Sequence, residues 1–375
     1  MINYWQNTDE EQLLIACCRK VVGNIDEAQF KGLAQKIFDA KKFFQLCQAH
    51  GLTVLVYKQF IYPYKKILPA VTVEIFESQT RKIILSQLQL TKVLLDIHRT
   101  LVAQGINYVS LKGPVLNQQL FGNEQTRYAG DLDILIGAKD LLKADECLKK
   151  IGYRSTMPNW SIRFYSEFYK LFARKDIIYR KENFKPRLEL HWKTCPVEMI
   201  VNSPYFNWST HTSFCLINNE ALPVLSNYYN CLYLCLHAAK HHWSQLKWLI
   251  DIELFIQTQQ LDWNQLLALA KQHALENVVE EARMLLAVYL KDKPSGELLL
   301  RKTVKQKNLF ARMYWANKAK PGLKQKLLLF YYKNKLYSNW KQKINNDVFI
   351  FQEAIFNKII KGCDYLKQVL NRGIK

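Results

Sequence analysis

The chain has 375 residues, 49% of them hydrophobic and 13% aromatic, so it is long enough for several domains and too apolar to be disordered. Its formal net charge is +21, its start MINYWQNTDEE is polar and acidic, so no secretory leader is expected, and no apolar run reaches the ~18 residues of a membrane span. Nine cysteines without a framework fit reduced thiols in a reducing compartment, so a cytoplasmic protein is expected.

Residues 1–95 read as helices. Leu13, Leu14, Ala16, Cys17 and Val21 fall at helical spacing over 10–21, and Phe30, Leu33, Ala34 and Ile37 over 25–40. Further segments are expected at 43–50, closed by Gly51, and at 53–62, cut by Pro63. Residues 71–105 form one long helix in which leucines recur from Leu85 to Leu101. All of these helices are expected to pack beside a catalytic sheet.

The stretch from Ser110 to Ile136 carries the chemistry. A strand over 106–111 ends at Gly113 and Pro114, and Pro suits the first turn of a helix. Val115–Phe121 is that helix, Gly122 stops it, and 123–130 is a polar loop. Leu132, Ile134 and Ile136 then alternate with Asp131, Asp133 and Leu135. The period of two places both aspartates on one face of a strand. Adjacent carboxylates repel, and a hard divalent cation such as Mg²⁺ relieves the repulsion. A helix N-terminus just upstream offers free amides to a phosphate. Two solvated acids at a strand end are the bland alternative.

A helix over 138–151, a short strand over 153–156, and strands over 176–181 and 187–192 come next. Residues 160–173 suit either a strand pair or a helix. Tyr228 to Gln257 reads as one helix, and 263–290 as two more. His237 and His241 lie one turn apart with Cys235 beside them, as zinc ligands can, but no general-base Glu or CxxC pair accompanies them. KDKPS at 291–295 is a linker. Beyond it, residues 301–375 hold 18 Lys plus Arg against 3 Asp plus Glu, with aromatics between the lysines. Residues 296–375 therefore suit RNA or another polyanion, an anionic membrane surface, or a helical domain with a solvated basic face. The expected regions are 1–95, 96–222, 223–292 and 293–375.

LKGPVL followed by RYAGDLDILI resembles the DNA-polymerase-β-like nucleotidyltransferase superfamily, in its bacterial branch of uncharacterised nucleotidyltransferases, over most of 90–290. The resemblance implies an α+β fold, a small mixed sheet flanked by helical regions. It implies a third carboxylate on a later strand, and Glu189 in RLELHW supplies it. In that class two Mg²⁺ ions and a nucleoside triphosphate, ATP as the default, meet the three acids Asp131, Asp133 and Glu189. A nucleoside monophosphate then passes to a hydroxyl on a small molecule, RNA or protein. Lys112 and Gly113 would cradle phosphate, and Lys112 or Arg127 would neutralise the leaving pyrophosphate. His191 shares the face of Glu189 and would orient it or touch the acceptor. Related proteins carry a helix like HAAKHHWSQLKWLID that closes over the nucleotide, which would turn Lys240, His241, Lys247 and Asp251 to the cleft. The same side chains also suit the solvated face of a helix. The chain has Lys112-Gly113-Pro114 where the superfamily usually has Gly-Ser. A non-catalytic nucleic-acid- or membrane-surface-binding protein on the same fold is the alternative function.

Overall fold

The computed structural model describes residues 8–35, 38–122, 125–168, 176–182, 184–193, 208–241 and 243–291. The basic region 293–375, with its RNA and membrane readings, lies outside the described residues. Five segments open the chain: α1 (Asp9–Val21), α2 (Glu27–Ala34), α3 (Ala40–Ala49), α4 (Thr53–Val56) and a π-helical turn at Tyr57–Ile61. Thr8 starts α1 through a capping box with Glu11, so two otherwise orphaned amides are satisfied locally. The 34-residue α5 (Ala70–Ala103) is next.

Then come β1 (Tyr108–Ser110), α6 (Pro114–Phe121) and β2 (Asp131–Ile136). They are followed by α7 (Leu141–Lys150), β3 (Tyr153–Ser155), α8 (Asn159–Phe168), β4 (Asp176–Lys181) and β5 (Phe184–His191). The ambiguous aromatic stretch after Asn159 is thus helical as far as Phe168. The strands make one mixed sheet in the order β1-β2-β5-β4-β3. Its β2–β5 pair is parallel and the others are antiparallel.

A two-stranded sheet, β6 (Thr212–Ile217) and β7 (Glu220–Leu225), stands apart in the hydrogen-bonding pattern. Asn218 and Asn219 turn it with φ of 49° and 66°. Two positive-φ residues between strands suit a type I′ turn, which asparagine tolerates. The amino-acid sequence carries this signal as an Asn pair between alternating segments, and the expected elements did not include the hairpin.

Four helices complete the described chain: α9 (Asn227–Lys240), α10 (Leu246–Thr258), α11 (Trp263–Gln272) and α12 (Glu276–Tyr289). The single helix expected over 228–257 is therefore two. The break sits at Trp243, whose φ is +53° and whose amide bonds back to the Ala238 carbonyl at 2.8 Å. No Gly or Pro marks it. Burial of the Trp243 ring, with Nε1 donating to Glu281 Oε2 at 3.2 Å, holds the left-handed residue in place.

Two main cores result. Leu132, Ile134 and Ile136 of β2 face α5 and α7, in a core with Leu94, Leu101 and Leu141. The N-terminal helices and α9–α12 share the other, in which Leu13, Phe60, Phe76, Cys235, Ile252 and Leu286 take part. The first and third regions drawn from the sequence thus bury apolar surface against each other. Both cores meet α5: Phe76 belongs to one and Leu94 to the other. Among the described residues no helix is long and apolar enough to cross a membrane.

Candidate active site

Alternation along β2 sends Asp131, Asp133 and Leu135 to the face opposite the main sheet core. There Leu135 packs with Val109, Leu111, Leu225 and Tyr233. Tyr233 belongs to α9, so the acidic face is roofed by that helix. Parallel pairing of β2 with β5 sets Asp131 opposite Arg187 and Asp133 opposite Glu189. The third carboxylate is therefore a lateral neighbour of the second.

Local chemistry fixes the loops around these acids. Gly113 precedes α6 with φ 72° and ψ −135°, a conformation open to glycine and strained for other residues. Pro114 then takes the first helical turn. The loop that enters β2 is pinned by two buried amides. Asn117 accepts from the Arg127 amide and donates to its carbonyl, and Gln87 does the same for Ala129 at 3.0 and 2.9 Å.

Asp133 is the best-held group. Its Oδ1 lies 2.9 Å from His191 Nε2, and its Oδ2 lies 2.9 Å from the Lys112 ammonium. Burial alone would push this carboxyl up, but Lys112 and His191 outweigh it and hold it well below the usual carboxylate range. The Lys112 contact compensates charge by proximity without hydrogen-bond alignment, so the buried Oδ2 has no aligned donor. Lys112 also rests on the His237 ring, 3.3 Å from Nδ1 and 3.4 Å from Nε2. Burial, reinforced by the Lys112 charge, pushes His237 well below the ordinary imidazole value.

Asp131 and Glu189 are more open. Arg187 stands between them, 3.6 Å from Asp131 Oδ2 and 3.7 Å from Glu189 Oε1. His191 also reaches Glu189 Oε2 at 3.7 Å, while its Nδ1 faces Asp176 Oδ2 at 3.6 Å. Among the described residues, Asp133, Glu189 and His191 form the group whose ligand atoms converge, all within 4.8 Å of one another. A cavity of about 290 Å³ opens over these groups, and Lys240, the last residue of α9, and His241, its C-cap, line it. Tyr233 closes it from the same helix. Burial first, and then the surrounding carboxylates, push its hydroxyl well above the usual phenol value.

The remaining residues singled out from the sequence lie at one side. Arg127 and Asp251 are paired with each other, Nε to Oδ1 at 2.7 Å and a second guanidinium nitrogen to Oδ2 at 2.9 Å. Lys247 lies close enough to feel both charges, and burial pulls its ammonium down to about 8. Its Nζ stands 5.7 Å from the Tyr128 ring centroid. His237 and His241 sit with ring centroids 4.7 Å apart, whereas the Cys235 thiol points into the helical core. Sequence reasoning did not single out Asp176, Arg187 or Tyr233. Asp176 and Arg187 lie on strands it did identify, and only the β4–β5 and β2–β5 registers bring them here.

No curated protein matches the chain. It is similar in structure to an antigenic nucleotidyltransferase-like protein from Paracoccidioides brasiliensis, at 18% identity and a TM-score of 0.33, over 56% of this chain and 95% of that one. Residues 37–291 match the family model described as uncharacterised nucleotidyltransferase. That span holds every acid of the cavity, and the chain belongs to the uncharacterised nucleotidyltransferase family.

Proposed function

We propose that the protein moves a nucleoside monophosphate, AMP from ATP as the default, to a hydroxyl acceptor and releases pyrophosphate. The observation that carries this reading is the parallel β2–β5 pairing, which sets Asp133 opposite Glu189 beside the glycine turn of α6. The donor set fits a divalent cation. Carboxylate oxygens of Asp133 and Glu189 converge with an imidazole nitrogen, and the buried Asp133 Oδ2 has no aligned donor. Asp131, Asp133 and Glu189 would hold Mg²⁺. Bound there, it supplies charge neutralisation on the triphosphate and polarisation of the reacting phosphorus.

The chain's own residues do the rest. Amides of Lys112 and Gly113 at the start of α6 would receive phosphate oxygens. Lys112 stands within the acidic cluster, and its ammonium would turn to the triphosphate once Asp133 held a cation. Arg187, between Asp131 and Glu189, offers a second positive group to charge developing on the leaving pyrophosphate. Glu189 borders the cavity and orients the acceptor hydroxyl. Lys240 and His241 reach the same space from the end of α9 and would cover the base and sugar. The Arg127–Asp251 pair holds the β2 loop against α10, and Lys247 adds positive charge at that edge.

The test is incubation with each of the four α-labelled nucleoside triphosphates, a divalent cation and a cell extract. Label should pass to a discrete acceptor with the parent and not with Asp133→Asn. Absence of transfer from all four nucleotides would contradict the proposal.

A further inference from the structure

We infer that His191 is a nitrogen ligand of the divalent cation held at Asp133 and Glu189, and that this donor set selects a first-row transition cation such as Mn²⁺ over Mg²⁺. The inference rests on the metal-dependent function proposed for the site and adds a ligand and a class of cation to it.

The first observation is convergence. Glu189 and His191 share one face of β5, and the register puts Asp133 opposite Glu189. His191 Nε2 lies 2.9 Å from Asp133 Oδ1 and 3.7 Å from Glu189 Oε2. A single imidazole nitrogen thus meets one oxygen of each acid on the side where the cavity opens. His191 is 2% exposed, so its ring is held in this direction by packing.

The second observation is the other ring nitrogen. Nδ1 faces Asp176 Oδ2 at 3.6 Å, and Asp176 is the residue opposite His191 in the β4–β5 register. In the structure Nε2 shares its hydrogen with Asp133 Oδ1; a cation at Asp133 would displace that hydrogen, and the Asp176 carboxylate behind the ring would then favour the Nδ1–H tautomer. Ligating histidines are commonly backed in this way.

The choice of cation depends on donor chemistry. Mg²⁺ takes oxygen ligands and keeps several waters. Imidazole suits first-row transition cations, and mixed carboxylate–imidazole sets accept Mn²⁺ as well as those of higher affinity in the series. Adding one imidazole to the carboxylates therefore shifts the preference of the site from Mg²⁺, the family's default, toward Mn²⁺.

The experiment uses the full chain and Mn²⁺ alone, without nucleotide, read by pulsed electron paramagnetic resonance. Bound Mn²⁺ should show modulation from a directly coordinated ¹⁴N nucleus, which needs no variant. His191→Gln should lose the modulation, bind Mn²⁺ about tenfold or more weakly, and leave Mg²⁺ affinity nearly unchanged. Circular dichroism checks its fold. His237→Gln, whose ring stands in the same cavity, should keep the modulation. Asp176→Asn should keep it with lower affinity. Mn²⁺ bound without ¹⁴N coupling would overturn the assignment and leave a carboxylate metal site standing, and coupling lost in His237→Gln instead would overturn it in favour of His237. Failure to bind any divalent cation would remove both this inference and the metal-dependent function beneath it.

Discussion

Replacing Arg127 tests the link between the sheet and the C-terminal helices. The guanidinium and the Asp251 carboxylate are paired at 2.7 and 2.9 Å, and their side chains are 7% and 4% exposed. Arg127→Met leaves the Asp251 charge buried and uncompensated, which costs about 3–5 kcal/mol in such settings. Neighbouring Lys247, lowered to about 8 but still charged at neutral pH, offsets part of this, so the lower end of the range is expected. The double variant Arg127→Met/Asp251→Leu removes both charges and should return to within about 1 kcal/mol of the parent. Urea unfolding followed by tryptophan fluorescence measures all three proteins, and the double-mutant cycle isolates the pair. Arg127→Met within about 1 kcal/mol of the parent would refute the reasoning, since removing one partner of a buried pair leaves the other charge exposed to the full desolvation cost. A double variant no better than either single one would show that Arg127 is held by other contacts.

Two other predictions come from local geometry. Gly113→Ala should destabilise the protein by about 1–3 kcal/mol, since the residue keeps φ 72° and ψ −135°, and a melt showing an unchanged midpoint would contradict the strained turn. Glu10 is the pH test. Burial raises its carboxyl, but bonds from Lys42 at 2.6 Å and the Asp39 amide at 3.0 Å outweigh that and pull it down to about 2. A carboxyl lowered on folding contributes stability above its unfolded value near ~4.3, and the contribution is lost as pH falls from there toward 2. Between about pH 6 and about pH 3 the parent should therefore lose more stability than Glu10→Gln. Parallel losses would show that the Lys42 pair is not formed in solution.

Much of the site was legible because its parts are local. Strand alternation gave the shared face of Asp131 and Asp133, and β2 has the bounds read from the sequence. The glycine turn and the proline at the first turn of α6 were visible for the same reason. Pairings across long separations were not. Lys112 to Asp133, His191 to Asp133 and Arg127 to Asp251 depend on β-register and helix docking, which periodicity does not encode. Arg127 was expected to meet the leaving pyrophosphate, and Asp251 to face the cleft by the family resemblance. The structure makes them partners over a separation of 124 residues. The break between α9 and α10 was hidden because tertiary burial of Trp243, not a glycine or proline, offsets its conformational cost.

Asp131 and Asp133 are proposed to bind a nucleotide through a divalent cation, with Glu189 serving the acceptor. Calorimetric titration of a non-hydrolysable nucleoside triphosphate analogue, with and without the cation, tests it most directly. Binding should be saturable, require the cation, disappear in Asp131→Ala and survive in Glu189→Gln. Binding of the analogue to Asp131→Ala as tight as to the parent would contradict it.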